Sequence, residues 1–205
     1  STVQEIRFFT TIQKGFRMPV FFVFLGTVFY WLIGRFFTQP PRYLTTKKIN
    51  TEEGVVNTSN AKAGFEYSDC YLYDNDARFV FNFIRTSLNF GCIAANYIES
   101  TGATREGDHW IVDARDTITG KTMKIRSKAL INACGPYVDV HNVLTQQPTA
   151  HHHVFSKGIH LIVDRITDSK RVLTFFASDG RLFFVIPMGP KTCIGTTDTQ
   201  VENPE

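Results

Sequence analysis

The sequence predicts an α/β protein that turns to antiparallel β in its second half. Three observations carry that expectation. Apolar residues at helical spacing between Phe79 and Leu88 run into a strand-like segment. Alternating residues flank Thr119-Gly120 as they flank a hairpin turn. From Ile159 onward the chain is a series of short apolar runs parted by turn residues.

The first element is "MPVFFVFLGTVFYWLIG", Met18 to Gly34, uncharged and bracketed by Arg17 and Arg35. As a helix it covers roughly 26 Å, a little under the ~30 Å hydrocarbon core. Pro19 suits a first helical turn, and Tyr30 with Trp31 suits an interfacial belt. Three readings stay open: a short membrane span, a segment lying in the bilayer interface, and a buried helix of a soluble domain. Residues 39–60 are polar, with two prolines and no period, and read as a linker or surface loop. Asp74 or Asn75 can cap a helix carrying Phe79, Val80, Phe83, Ile84, Ser87 and Leu88, with Gly91 to end it. "CIAANYIES" then reads as a strand, "HWIVDARDTITGKTMKIRS" as a hairpin, and "KALINACGP" as a buried strand entering a Gly-Pro turn. "IHLIVD", "RVLTFF", "RLFFVIP" and "TCIGTTD" supply further strands. There is no internal repeat and no low-complexity tract.

Composition excludes several classes. At 205 residues and 43% apolar content the chain can bury one substantial core, or a core plus an attachment. Phe is abundant at 19 residues. The net charge of +3 is mild and its Lys and Arg residues are scattered, which excludes a nucleic-acid footprint. Cys70, Cys92, Cys134 and Cys193 lie far apart without a C-x-x-C pair. That spacing argues against a zinc ribbon and a secreted disulfide framework, so a reducing compartment is expected. The chain opens at Ser1 rather than Met, as a processed or trimmed chain would, and no signal peptide is evident.

Several stretches carry chemistry, each with a plainer reading beside it. "INACGPYVD" (Ile131 to Asp139) is an apolar run that stops at small residues, where a cofactor could approach the backbone of an open α/β sheet. It is equally a common turn. "CIGTTDT" places hydroxyls and a carboxylate behind a strand, which also describes a hairpin end. His160, alone, fits a hydrogen-bonded core as readily as a catalytic site. His151, His152 and His153 are consecutive and point different ways, so no metal site is expected.

Taken in order, five segments stop being ordinary: "YSDCYLYDNDARFVFNFIRTSLNFGCIAANYIES", "ALINACGPYVD", "FSKGIHLIVD", "DGRLFFVIP" and "IGTTDT". Their order and spacing resemble the FAD-dependent glycerol-3-phosphate dehydrogenases, most of all the mitochondrial, quinone-reducing branch. The resemblance is specific from Glu66 to Glu205 and weaker over Arg7 to Thr38. It implies a partial FAD-binding, Rossmann-like α/β domain over residues 61–140 and a partial, mostly antiparallel β substrate domain over residues 141–205. Before them it implies an N-terminal apolar helix within a membrane-associating or interface segment over residues 1–38, and a linker over 39–60.

The resemblance also assigns roles. Asp76, Ala77 and Arg78 match the family's helix opening. Asn132 to Pro136 match a turn that packs against FAD, making Ala133, Cys134 and Gly135 cofactor-binding residues. Cys134 stands where the family usually has Thr, and a thiol is the weaker hydrogen-bonding group. Cys70 stands where relatives usually carry Gly. Ser156, Lys157, Gly158 and His160 match a Ser-Lys-Gly-x-His segment, with Lys157 and His160 at the substrate. Gly195, Thr196, Thr197 and Asp198 match a segment near the flavin ring, the last three as cofactor-binding residues. The implied reaction takes hydride from C2 of glycerol 3-phosphate to FAD, with electrons passing on to quinone. His160 is the implied catalytic base for the C2 hydroxyl proton.

Two family segments are missing: the G-x-G-x-x-G that seats the pyrophosphate and the Gly-x-Arg-Pro that helps hold the substrate phosphate. The chain alone is therefore expected not to hold FAD tightly. Two functions remain open. The chain is one piece of a dehydrogenase completed by other protein chains, or an inactive relative serving as a structural accessory subunit of a respiratory complex. The implied partners are other protein chains and a membrane, not nucleic acid. The implied location is the mitochondrial inner membrane, or alternatively a bacterial cytoplasmic membrane.

Overall fold

The computed structural model describes residues 2–177 and 180–203, and the chain divides into two units. The first comprises residues 1–80 and 158–198, and the second residues 81–157 and 199–205. In chain order the elements begin with β1 (Val3–Gln13), α1 (Val20–Ile33), β2 (Arg42–Leu44), α2 (Thr46–Glu52), β3 (Ala61–Leu72) and α3 (Asn75–Leu88). Then come β4 (Ile98–Glu106), β5 (His109–Asp116), β6 (Thr122–Ser127), a 3₁₀ turn (Gly135–Tyr137), α4 (Val138–Leu144) and β7 (Phe155–Lys157). The chain closes with β8 (Leu161–Asp164), β9 (Val172–Phe176), β10 (Leu182–Met188), β11 (Lys191–Gly195) and β12 (Thr199–Val201).

The first unit is built on a seven-stranded sheet ordered β2-β3-β1-β9-β10-β11-β8. Its pairings are antiparallel except β1 with β9, which run parallel. β1 is central, and residues Phe9 to Ile12 are buried on both faces, as a strand inside a covered sheet must be. The core gathers Phe9, Leu44, Ile49, Val56, Leu173 and Val185. Each such side chain contributes about 1.5–3 kcal/mol when fully buried.

Residues 39–60 are therefore not a linker. Leu44, Ile49 and Val56 are three widely spaced apolar letters in polar text, and all three enter the core. The polar letters are occupied too. Glu53 is 2% exposed and Glu66 4% exposed, and both sit among guanidinium groups. Arg171 reaches Glu53 Oε1 at 2.6 Å and Glu52 Oε2 at 2.9 Å, and its guanidinium lies 5.1 Å from the centre of the Phe9 ring. Arg42 bridges Glu66 and Glu52 at 2.5 and 2.7 Å. Arg7 Nε lies 3.2 Å from Glu66 Oε1 without hydrogen-bond alignment, so that contact is one of charge. Burial alone would push the Glu52 carboxyl up, but hydrogen bonds from Arg171 and Arg42 outweigh it and hold the group below the ordinary glutamate range.

The opening residues also differ from expectation. Residues 1–38 were read as helical and apolar, yet residues 3–13 form β1, the strand that joins the two halves of the sheet. The apolar run forms α1, 14 residues long, with Phe24 stacked on Phe65 at 5.7 Å and edge-on to Tyr43 at 6.1 Å. No residue of α1 is fully buried, and Phe21, Phe22, Leu25, Phe29, Leu32 and Ile33 are exposed. No helix among the described residues is long and apolar enough to cross a membrane.

Residues 61–140 do not form one domain either, because β3 belongs to the seven-stranded sheet of the first unit. The second unit has a three-stranded antiparallel sheet, β4-β5-β6, and a β7-β12 pair. The hairpin at Thr119-Gly120 is present. Asp116 Oδ1 accepts from the backbone N–H of Ile118 at 2.8 Å and of Thr119 at 3.1 Å. Bonds from Thr119 and then Ile118 hold that carboxyl below its ordinary range. α3 matches the helical spacing, and Asn75 Oδ1 accepts from the Arg78 N–H at 2.9 Å.

One expected strand is absent and another begins late. "KALINACGP" has no ladder, and Ile131 is 85% exposed. A strand exists only where a neighbour takes its backbone hydrogen bonds, and among the described residues no other segment pairs with this one. "CIAANYIES" begins its ladder only at Ile98, opposite Asp116.

Candidate functional site

The first unit brings His160, Thr196 and Thr197 together through two backbone segments that interlock. Ile159, just before β8, is held on both sides of its peptide. Its N–H donates to Thr197 Oγ1 at 3.0 Å, and its carbonyl accepts from the Thr197 N–H at 3.3 Å. Thr196 Oγ1 donates to the Thr197 carbonyl at 2.8 Å and makes a longer contact of 3.4 Å to the Ile159 carbonyl.

Two glycines make that approach possible. A Cβ on Gly158 would stand 2.4 Å from both Thr196 Oγ1 and the Thr197 carbonyl oxygen. On Gly195 it would stand 2.5 Å from His160 Cδ2 and 3.1 Å from Nε2. Each segment therefore carries a glycine where the other presses on it. The imidazole lies close against the Gly195 backbone.

His160 is exposed, and neither ring nitrogen has a hydrogen-bond or ion-pair partner among the described residues. A core histidine would be buried and bonded. His141 in the second unit shows the contrast: it is 8% exposed, with Nε2 2.9 Å from Ser100 Oγ. Beside the interlock lies a cavity of about 210 Å³ walled by Ile159, Leu161, Phe183, Ile194 and Thr196. Arg181 also lines it and donates from Nη1 to the Asp198 carbonyl at 3.1 Å, which fixes the end of the Gly-Thr-Thr-Asp segment. Arg181 was not singled out from the sequence, although it stands within the quoted "DGRLFFVIP".

The other expected site residues lie in the second unit. Ala133, Cys134 and Gly135 form an exposed turn, and nothing stands within 4 Å of where a Gly135 Cβ would be. Asn132 holds that turn to α4: its Nδ2 donates to the Val138 carbonyl at 2.9 Å and to Asn142 Oδ1 at 2.8 Å. Its Oδ1 accepts from the Cys134 N–H at 3.2 Å. Lys157 is exposed at the end of β7, opposite Thr199. Asp139 Oδ2 lies 3.8 Å from Nδ1 of both His152 and His153, and no group of metal-ligating side chains forms among the described residues.

In the first unit, then, a hydroxyl-bearing segment lies beside an imidazole that no described residue engages, and the second unit holds, separately, an exposed turn of small residues. Comparison with known proteins gives the family. Residues 32–205 match the FAD dependent oxidoreductase family, DAO, and the chain belongs to that family. Within it, the chain is similar to enzymes named for glycerol 3-phosphate. It is 36% identical to the aerobic glycerol-3-phosphate dehydrogenase of Escherichia coli over 68% of this chain and 28% of that one. It is 31% identical to the Bacillus subtilis enzyme of the same name over 91% of this chain and 34% of that one. It is also 32% identical to D-erythritol 1-phosphate dehydrogenase of Brucella abortus, over 90% of this chain and 36% of that one. The glycerol-3-phosphate dehydrogenase of Bacillus halodurans, solved with FAD, superposes with a TM-score of 0.72 at 26% identity. That match covers 98% of this chain and 36% of that one. The chain thus spans about a third of the length of the relatives it matches.

The residues present fit part of FAD. The open turn at Ala133–Gly135 leaves room for a flat ring system to approach backbone, and the Thr196–Asp198 segment supplies polar atoms beside a cavity. The pyrophosphate fingerprint is not among the 205 residues.

Proposed function

We propose that this chain supplies the substrate-facing part of an FAD-dependent dehydrogenase acting on glycerol 3-phosphate, with quinone as the final electron acceptor. The observation that carries this reading is the exposed, uncommitted imidazole of His160, seated on Gly195 within the interlocked segments. FAD, when bound, supplies the acceptor for the hydride leaving C2. Ala133, Cys134 and Gly135, with Thr196, Thr197 and Asp198, are the residues that would hold it. His160 takes the C2 hydroxyl proton on a ring nitrogen, which a neutral imidazole near physiological pH can do. Lys157 offers an ammonium group to the substrate phosphate.

The exposed apolar side of α1 supports an interfacial location, with Phe21, Phe22, Leu25 and Phe29 entering the headgroup boundary. On this reading the assembly works at the mitochondrial inner membrane, or at a bacterial cytoplasmic membrane, with other protein chains completing the cofactor site.

The test uses the complete assembly. His160→Asn is expected to keep flavin bound and lower turnover of glycerol 3-phosphate about 10²- to 10⁴-fold, the range for a positioned general base. The wild-type rate is expected to rise with pH through an ionisation that the variant lacks. Loss of flavin or of fold in the variant would make His160 a packing residue. An assembly whose wild type oxidises no polyol phosphate would favour the inactive accessory subunit, a reading that Cys134 in place of Thr supports. Faster turnover of erythritol 1-phosphate than of glycerol 3-phosphate would keep the mechanism and change the substrate.

A further inference from the structure

A second cavity, of about 590 Å³, lies in the first unit between the C-terminal half of α1, the first residues of β1 and the end of β3. Its volume is in the range of small-molecule sites. Most of its wall is apolar or aromatic, with Tyr30, Trp31, Phe37 and Tyr67 among the lining residues. Contacts position three of these rings. Trp31 Nε1 donates to the Thr38 carbonyl at 2.8 Å, and the Tyr30 and Tyr67 rings meet edge to face at 6.5 Å.

The cavity's charges are one-sided. Two carboxylates line it, Glu5 and Asp69, and no Lys, Arg or His does. Glu5 is already satisfied: Oε1 accepts from the Gln39 N–H at 2.9 Å and from Ser68 Oγ, which itself accepts from Arg7 at 2.6 Å. The Ser68 hydrogen bond, first among several causes, holds the Glu5 carboxyl below the ordinary glutamate range. Asp69 is different. Its Oδ1 accepts from the Cys70 N–H at 2.7 Å and, at 3.4 Å, from the Tyr30 hydroxyl. No cation pairs with it among the described residues, although it is half-buried. A carboxylate without a countercharge in an aromatic cavity repels anions. A neutral apolar ligand would cover it and leave its charge uncompensated. An ammonium ion satisfies both the carboxylate and the ring faces.

We propose that this cavity binds an organic ammonium ion with an apolar body, its charge against Asp69 and its body against Tyr30, Trp31 and Tyr67. The site is independent of the dehydrogenase reading, since none of its residues belongs to the cofactor or substrate site. Benzyltrimethylammonium is a suitable probe, and its uncharged carbon isostere, neopentylbenzene, is the control. Titration calorimetry of the full chain is expected to show saturable binding of the cation, and about tenfold or more weaker binding by Asp69→Asn. The isostere is expected to compete poorly. Equal binding of cation and isostere would overturn the proposal, as would an unaffected Asp69→Asn variant or no binding of the cation at millimolar concentration. If Asp69→Asn fails to fold, the cation–isostere comparison on the wild type decides alone.

Discussion

The two units differ in how much they enclose. In the first, Phe9, Leu44, Ile49, Leu173 and Val172 are essentially inaccessible, and even its carboxylates at Glu53 and Glu66 are enclosed and paired. In the second, Phe81, Phe83, Ile84, Phe90, Ile93, Ile131 and Val143 stand exposed, and the buried residues are few and mostly small, such as Ala103, Val112 and Ala114. The first unit therefore carries its own stability. The second encloses little and, like α1 of the first, shows an apolar surface of the kind that marks an interaction face. One unit thus has a finished core, and the other is mostly surface.

Four measurements test that contrast, from the largest expected effect downward. Arg171→Ala removes the guanidinium from Glu53 and leaves a carboxylate buried without its partner. Denaturant unfolding is expected to show a loss of about 3–5 kcal/mol. A loss under about 1 kcal/mol would mean that water reaches Glu53 and that the first unit is less closed than its burial implies. Gly195→Ala drives a methyl group into the His160 ring and is expected to cost about 1–3 kcal/mol in the same assay. It should also move the His160 ring resonances in an NMR spectrum, which a remote core change would leave in place.

The acid response comes next. Glu5 and Glu52 are held below the ordinary glutamate range in the folded chain, so their ionised forms favour folding. Their contribution is complete above the unfolded value of about 4.3 and is lost as pH falls through the lower folded values. Melting temperature of the first unit, followed from about pH 6 downward, is expected to fall below about pH 4.5, and Glu52→Gln should flatten that fall. The smallest effect belongs to the second unit. Ile131→Ser is expected to change the stability of the chain alone by no more than about 0.5 kcal/mol. A larger loss would show that Ile131 is covered after all.

What could be read in the sequence was what local chemistry decides. The Asn75 cap with its helical spacing fixes α3, and the turn at Thr119-Gly120 fixes the β5-β6 hairpin, because both signals act within a few residues. The Ser-Lys-Gly-x-His and Gly-Thr-Thr-Asp segments were legible as motifs, but their interlock was not. Only the structure shows that Gly158 makes room for Thr197 and Gly195 for His160. Residues 39–60 escaped for the opposite reason. Leu44, Ile49 and Val56 have no period, and the charges around them read as solvated until Arg171, more than a hundred residues away, is placed beside Glu52 and Glu53. "KALINACGP" misled in turn, because strand-like composition is not enough where no ladder partner stands alongside.

The parallel pairing of β1 with β9 has a consequence for how the chain is made. Phe8 to Thr10 lie beside Val172 to Thr174, so the middle of the sheet joins residues from near opposite ends of the chain. β1 and β3 can pair as soon as residue 72 is free, but the open edge of β1 must wait for β9. At 5–20 residues per second, synthesis leaves that edge unpaired for roughly five to twenty seconds. During that interval Phe9, fully enclosed in the finished unit, stands on a bare strand edge, and the nascent chain is then most open to capture by a chaperone or by another copy of itself.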